Sequence, residues 1–192
     1  AKATEAGRVF ACRQLALIAE ENAIPALVGV LGDAKVGHWA RRALEEVPGT
    51  AAEAALVEAL GQTKGMAQVG VAQSLGARGV QDAVPALMAL VSGADVNAAV
   101  AGADALGRIG GRKAAKALTE AKVASPIVQG AIARGVLACA ESARLAGRKA
   151  EAGASYKWLM AEGRAPRHVQ ASAFYGMGMW APGSGLPAAL AA

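Results

Sequence analysis

The chain has 192 residues, of which 54% are hydrophobic and only 4% aromatic, and its formal net charge is +5. This length accommodates one domain or about five stacked repeats of about 30 to 40 residues, and the abundance of alanine and leucine favours helix. Charged residues interrupt nearly every apolar stretch, which excludes a membrane-spanning helix, so we expect no membrane insertion. The basic residues form no run of four or more, so the charge only weakly indicates an anionic partner.

The first segment, about residues 1–20, is an apolar helical stretch that contains Gln14-Leu15. It has no companion helix before it, and we interpret it as half of a helical repeat. No signal or transit pattern is present, so we expect a mature form or an excised fragment, and the cellular compartment stays unknown.

A short motif then recurs along the chain. The segment Ile24-Pro25-Ala26-Leu27 returns two repeats later as Val84-Pro85-Ala86-Leu87. Proline suits the start of a helix, where a missing amide loses no hydrogen bond. Asp82, just before the second copy, is a candidate N-cap. The leucines of this first-helix series, which recur once in every repeat, are Leu27, Leu56, Leu87 and Leu118.

A second series interleaves with the first. Its leucines, which recur at a constant spacing, are Leu44, Leu75, Leu106 and Leu137. Leu15 fits this series one repeat before its first member, and Met177 fits it one longer repeat after its last. Two interleaved series with a shared period of about 30 residues predict helical hairpins that bury their apolar faces by stacking on one another.

The predicted array therefore fills the chain as one domain. After the half repeat, its parts are repeats at about 22–48, 50–78, 80–110 and 111–141, a divergent longer helix pair at about 142–180, and a linker or the start of a further repeat at 181–192. The array begins on a half repeat and ends inside another, without a polar cap, so we expect it to continue in a larger protein. The Ala-, Gly- and Arg-rich composition indicates a bacterial one.

Two stretches carry a family resemblance. The stretch from Pro25 through Gly32-Asp33 to Leu44, and that from Pro85 through Leu106-Gly107 to Gly110, resemble the short HEAT-like repeats of bacterial proteins of the bilin-lyase type. The resemblance covers roughly residues 5–140, whereas residues 141–163 are similar to a tetratricopeptide-type hairpin. It implies an all-α fold, a right-handed α-solenoid of stacked antiparallel helix pairs.

The resemblance also implies where a partner binds, because second helices line the concave surface of HEAT-type solenoids. The candidate partner-binding residues on these helices are Arg13, His38, Arg41, Arg42, Gln73, Asp104, Arg108, Arg134, Gln170 and Tyr175. Arg13, Arg41 and Arg42 would form a basic cluster, although exposed arginines also serve solubility alone. Trp39 fits packing between repeats better than recognition of a partner.

No catalytic constellation emerges from the sequence. Deoxyhypusine hydroxylases resemble this architecture but use paired His-Glu steps, whereas here His38 precedes Trp39 and His168 precedes a valine. Cys12 and Cys139 are far apart in apolar helical settings and are expected to be buried free thiols. We therefore predict no metal, no cofactor and no enzymatic activity.

The sequence favours a non-catalytic scaffold that binds another protein. The alternative is a nucleic-acid-binding module similar to HEAT-like DNA glycosylases, with a basic concave groove. That alternative requires one continuous positive groove formed by Arg13, Arg41, Arg42, Arg108 and Arg134. It loses its electrostatic basis if these side chains pair with Glu45, Glu46 or Asp104. A bilin-lyase-like role is a third class, and no residue here identifies a bilin site.

Overall fold

The computed structural model describes residues 3–18 and 20–179, and within this part the chain is helical without any strand. Its α-helices are α1 (Glu5–Ile18), α2 (Ile24–Val28), α3 (Gly37–Glu46), α4 (Thr50–Gln62), α5 (Gly65–Arg78), α6 (Val84–Val91), α7 (Val96–Ile109), α8 (Gly111–Glu120), α9 (Pro126–Leu145), α10 (Lys149–Met160) and α11 (Arg167–Gly178). The all-α prediction is confirmed. The segment 181–192, predicted as a linker or a new repeat, lies outside the described residues.

The helices pack in two rows. The odd-numbered helices contact one another in series from α1 to α11 and form what we term the second-helix row. The even-numbered helices contact one another from α2 to α10 and form the first-helix row. Each even-numbered helix also packs against the odd-numbered helix that follows it. Helix α9 continues past residue 141, where the predicted fourth repeat ends.

The two leucine series supply much of the core between the rows. Leu27, Leu56, Leu87 and Leu118 of the first series are all buried. In the second series Leu44, Leu75 and Leu106 are fully buried, but Leu137 is only partly buried, and the preceding Val136 is fully buried instead. The expectation that Leu137 is the core residue of its helix is wrong, because α9 turns its neighbour toward the core.

Neighbouring helices of the second-helix row approach one another through glycines. A Cβ atom on Gly76 would lie 2.8 Å from the Cα of Ala105, and one on Gly107 would lie 2.8 Å from the Cα of Gly135. Backbone therefore contacts backbone where α5 meets α7 and where α7 meets α9. Any larger side chain at these glycines would force the helices apart.

Aspartates cap two of the turns. Asp95 accepts hydrogen bonds from the amides of Asn97 (2.9 Å) and Ala98 (3.2 Å) and so caps α7. Asp33 caps the turn before α3 and accepts a hydrogen bond from Arg8 of α1 at 2.8 Å. The prediction that Asp82 caps α6 is wrong, because Ala83 occupies the N-cap position and no side chain caps that helix.

Helices α9, α10 and α11 meet around one buried tyrosine. Tyr156 is fully buried, and its hydroxyl donates a hydrogen bond to Glu141 at 2.5 Å. The same carboxylate forms a salt bridge with Arg144 at 2.8 Å. Burial and the neighbouring Glu141 raise the pKa of Tyr156, so the hydroxyl stays a donor. Gly176 leaves room for this group, since a Cβ there would lie 2.6 Å from the hydroxyl oxygen.

We expect Tyr156→Phe to lower the free energy of unfolding by about 1–2 kcal/mol, because it removes the donor to Glu141 but keeps the ring in the core. Urea denaturation followed by circular dichroism measures the change. Tyr175→Phe is the matched control, since Tyr175 is 68% exposed, and it should change stability by less than about 0.5 kcal/mol. Equal effects of the two substitutions would contradict a role for this hydrogen bond.

Two further sequence expectations concern burial. Cys12 and Cys139 are free and buried, as predicted. Burial raises the pKa of the Cys139 thiol to about 11, which makes it a poor nucleophile at neutral pH. Across residues 3–18 and 20–179, no helix is long and apolar enough to cross a membrane.

Candidate functional site

The ten predicted partner-binding residues all lie on the second-helix row. They are distributed over six consecutive helices of that row, as Arg13 on α1, His38, Arg41 and Arg42 on α3, Gln73 on α5, Asp104 and Arg108 on α7, Arg134 on α9, and Gln170 and Tyr175 on α11. Seven of them are exposed, whereas Arg41, Asp104 and Gln170 are partly buried. The row therefore presents most of the predicted residues to solvent along its length.

The predicted basic cluster at the amino-terminal end is engaged in packing. The guanidinium of Arg13 lies over the ring of Trp39, 5.3 Å from its centroid, and so joins α1 to α3. Trp39 is partly buried and meets His38 edge to face, which favours the packing interpretation of this tryptophan. Arg41 lies against the backbone of Gly70 on α5, and burial lowers its pKa.

The remaining arginines of the proposed groove are largely neutralised. Arg42 forms salt bridges with Glu45 at 3.2 Å and with Glu46 at 2.9 Å. Arg134 pairs with Asp104 across α7 and α9 at 3.4 Å. Arg108 alone among the five arginines is exposed without an ion pair or aromatic contact to a described residue. Two of the five arginines that a continuous positive groove requires are therefore paired with carboxylates.

The excess positive charge lies elsewhere. Residues 111–125 and 146–166, which comprise α8, α10 and their flanking turns, contain eight Lys or Arg and three Asp or Glu. The rest of the chain contains twelve of each. The net charge of +5 is therefore concentrated at one end of the first-helix row, although the basic residues form no run of four or more along the chain. A charge count over these two helices together with their flanking turns finds this signal, whereas α10 by itself carries a net charge of only +1.

Several surface cavities lie between neighbouring helices. A groove of 510 Å³ separates α8 from α10 and is lined by Arg112, Lys116 and Trp158 among others. A cavity of 460 Å³ lies between α9 and α11 on the second-helix row, and Glu141 and Tyr175 line it. Sequence reasoning placed Tyr175 at a binding surface but missed the groove between α8 and α10.

One residue that the sequence analysis missed has a structural role. The Arg78 side chain, only 12% exposed, reaches from the end of α5 to the end of α3 and forms a salt bridge with Glu53 at 3.4 Å. No periodic signal marks it, because the residues one repeat away on either side are Val47 and Ile109. Hydrogen bonds from this side chain to the end of α3 join two consecutive repeats.

Within residues 3–18 and 20–179, no group of three or more His, Cys, Asp or Glu side chains is placed to hold a metal ion. No family model matches the sequence, and no curated protein matches it either. The likeness to HEAT-like repeats therefore stays a prediction made from the residues themselves.

Proposed function

We propose that this protein is a non-catalytic scaffold that binds another protein along its second-helix row, and that its two rows wind as a right-handed, HEAT-like solenoid. Contacts run in series within each row, and each hairpin contacts mainly its neighbours, which is the arrangement of repeat proteins. Such arrays offer extended surfaces on rigid helices.

The proposal rests on one observation about the second-helix row. Its six consecutive helices present side chains to solvent, and positive and negative side chains there pair with one another. Seven predicted residues are exposed there, and the pairs Arg42–Glu45 and Arg134–Asp104 lie on helices of the same row. A surface of paired charges suits the polar rim of a protein interface. Exposed Tyr175 offers an aromatic anchor beside the 460 Å³ cavity.

The nucleic-acid alternative is less well supported by the same contacts. Affinity for a phosphate backbone comes from Lys and Arg side chains that release counterions on binding. Along this row Arg42 and Arg134 are already paired with carboxylates, and Arg13 lies on Trp39. We therefore favour a protein partner for the second-helix row.

We expect substitution of this row's arginines to weaken any DNA binding by no more than about threefold, which is the part that net charge alone explains. The test is fluorescence anisotropy with labelled duplex and single-stranded DNA at about 50 and 200 mM salt. It compares the intact chain with an Arg13→Ala/Arg42→Ala/Arg108→Ala variant, which spares Arg41 because that side chain packs on Gly70. Micromolar, salt-dependent binding that the variant loses would instead support the nucleic-acid function.

The scaffold proposal has its own test. A protein captured by the immobilised chain is titrated against the chain and against a Gln73→Arg/Tyr175→Ala variant, both changes being at exposed positions of the second-helix row. We expect the variant to weaken binding about tenfold or more. An Ala54→Gln/Ala89→Gln variant, with both changes at exposed positions of the first-helix row, is the control. Equal affinities of all three chains would contradict binding through the second-helix row.

A further inference from the structure

We propose that the groove between α8 and α10 is a second binding site, which takes an acidic peptide segment of a partner protein and places an apolar side chain of that peptide against Trp158. This site lies on the first-helix row, so it does not depend on what the second-helix row binds. The proposal rests on the shape of the groove, the aromatic ring in its wall and the charge around it.

The groove has an apolar floor beneath a cationic rim. Ala115 on α8 and Ala154 on α10 line it together with Trp158, and its volume is 510 Å³. Trp158 is only partly buried, so part of the indole stays open to a ligand. Arg112 and Lys116, both exposed, stand on the α8 side. This is the size of a typical ligand-binding cleft, with apolar walls and a few charged groups.

Trp158 also lines a neighbouring cavity of 220 Å³, to which Lys122 and Arg164 contribute. The guanidinium of Arg164 lies over the indole ring, 5.4 Å from its centroid, and so holds the ring in place. Basic side chains from α8 and from the turns after α8 and α10 thus surround one aromatic side chain. This arrangement favours a ligand with an apolar centre and negative charges around it.

The carboxylates near the groove do not cancel its positive charge. Glu151, in the wall of the groove, is paired with Arg148 at 3.1 Å. Glu120 forms an exposed pair with Lys116 at 3.8 Å within α8, which leaves Arg112 as the unpaired cation of the groove wall among the described residues. Arg112 forms no ion pair with a described residue. Because the region holds the net charge of the whole chain, it attracts acidic partners at long range.

A peptide fits this surface better than a nucleic acid does. The first-helix row is cationic only at α8 and α10, since α2, α4 and α6 contain no Lys or Arg. A phosphate backbone needs a continuous track of cations, which two helices do not supply. Arg164 already occupies a face of Trp158, which leaves less of the ring for stacking a base. An acidic peptide needs only a short groove and one apolar anchor.

The test measures binding by fluorescence anisotropy with a labelled peptide of alternating Glu and Leu. Two further labelled probes are compared with it: the same peptide with Gln in place of Glu, and a single-stranded oligonucleotide. The groove variant is Arg112→Glu/Lys116→Glu. The control variant is Lys35→Glu/Lys64→Glu, which makes the same change in charge at exposed positions of the amino-terminal half, away from the groove. We expect the groove variant to weaken binding of the acidic peptide about tenfold or more, and the control by less than about threefold.

A Trp158→Leu variant separates the anchor from the charge. Its thermal melt is recorded first, and a folded variant is expected to weaken binding of the acidic peptide while leaving its salt dependence unchanged. Equal loss in the groove and control variants would overturn the proposal, because it would mean attraction by net charge alone. Absence of peptide binding, or tighter binding of the oligonucleotide than of the acidic peptide, would overturn it as well.

Discussion

Replacement of Arg78 by alanine is expected to lower the free energy of unfolding by about 1.5–3 kcal/mol. One guanidinium nitrogen donates hydrogen bonds to the carbonyl oxygens of Leu44 (3.1 Å), Glu45 (2.8 Å) and Val47 (2.7 Å). The other donates to the carbonyl of Gly49 at 2.9 Å. These acceptors lie at the end of α3 and in the turn that follows it, where helix carbonyls lack partners within the helix.

The size of the effect follows from what the substitution leaves behind. Alanine would remove hydrogen bonds from a charged donor and leave several part-buried carbonyls without a partner. It would also remove a positive charge from the carboxyl-terminal end of α3, where the helix dipole favours one. The salt bridge to Glu53 would be lost as well. Because Arg78 ends α5, one side chain ties the second helices of two consecutive hairpins together.

Urea denaturation followed by far-ultraviolet circular dichroism measures this effect. Arg78→Lys keeps the charge but lacks the planar fork that reaches several carbonyls at once, so its loss should be intermediate. Arg108→Ala, an exposed arginine of the same row, should change stability by less than about 0.5 kcal/mol. If Arg78→Ala costs less than about 1 kcal/mol, Arg78 does not join the hairpins.

Leu75→Ala and Leu106→Ala are each expected to cost about 2–5 kcal/mol. Both leucines are 0% exposed and lie on α5 and α7. A smaller side chain would leave a cavity there, because the backbones of α5 and α7 already touch at Gly76 and Ala105 and cannot close further. The loss then includes the buried methylene groups and the unfilled volume.

Thermal melts compare these variants with two leucines outside the core. Leu137→Ala, at a partly buried position of α9, should cost clearly less than Leu106→Ala. Leu145→Ala, at a position that is 77% exposed, should stay within about 0.5 kcal/mol. Costs below about 1 kcal/mol at both Leu75 and Leu106 would show that the repeat frame is wrong.

The buried positions were predictable because each depends on a period of the sequence. Leucines that recur once in every repeat occur where each hairpin presents the same face to its neighbours. The prediction failed at Leu137, because α9 is a helix of 20 residues and its orientation shifts the buried position by one residue, to Val136. Local periodicity therefore identifies the core to within one residue where the repeats diverge.

The candidate surfaces were only partly predictable. The second-helix positions were located from the resemblance, and they lie together on one row of helices. The ion pairs that these residues form were not predictable, since Arg134 pairs with Asp104 on another helix, 30 residues away. The groove between α8 and α10 depends on how far apart two first helices lie, which no spacing of residues along the chain expresses.

By itself the sequence determined the helical class, the two leucine series and the burial of both cysteines, because each follows from composition or from a repeated local pattern. Only the tertiary structure decided which cations are free, that Arg78 joins the end of α3 to that of α5, and that a groove opens beside Trp158. Such contacts join residues about one repeat apart, at 31 to 34 positions for the Arg78 side-chain bonds to backbone carbonyls of α3 and Val47. They depend on the angle and distance between packed helices, which are set by packing as a whole and not by any local pattern.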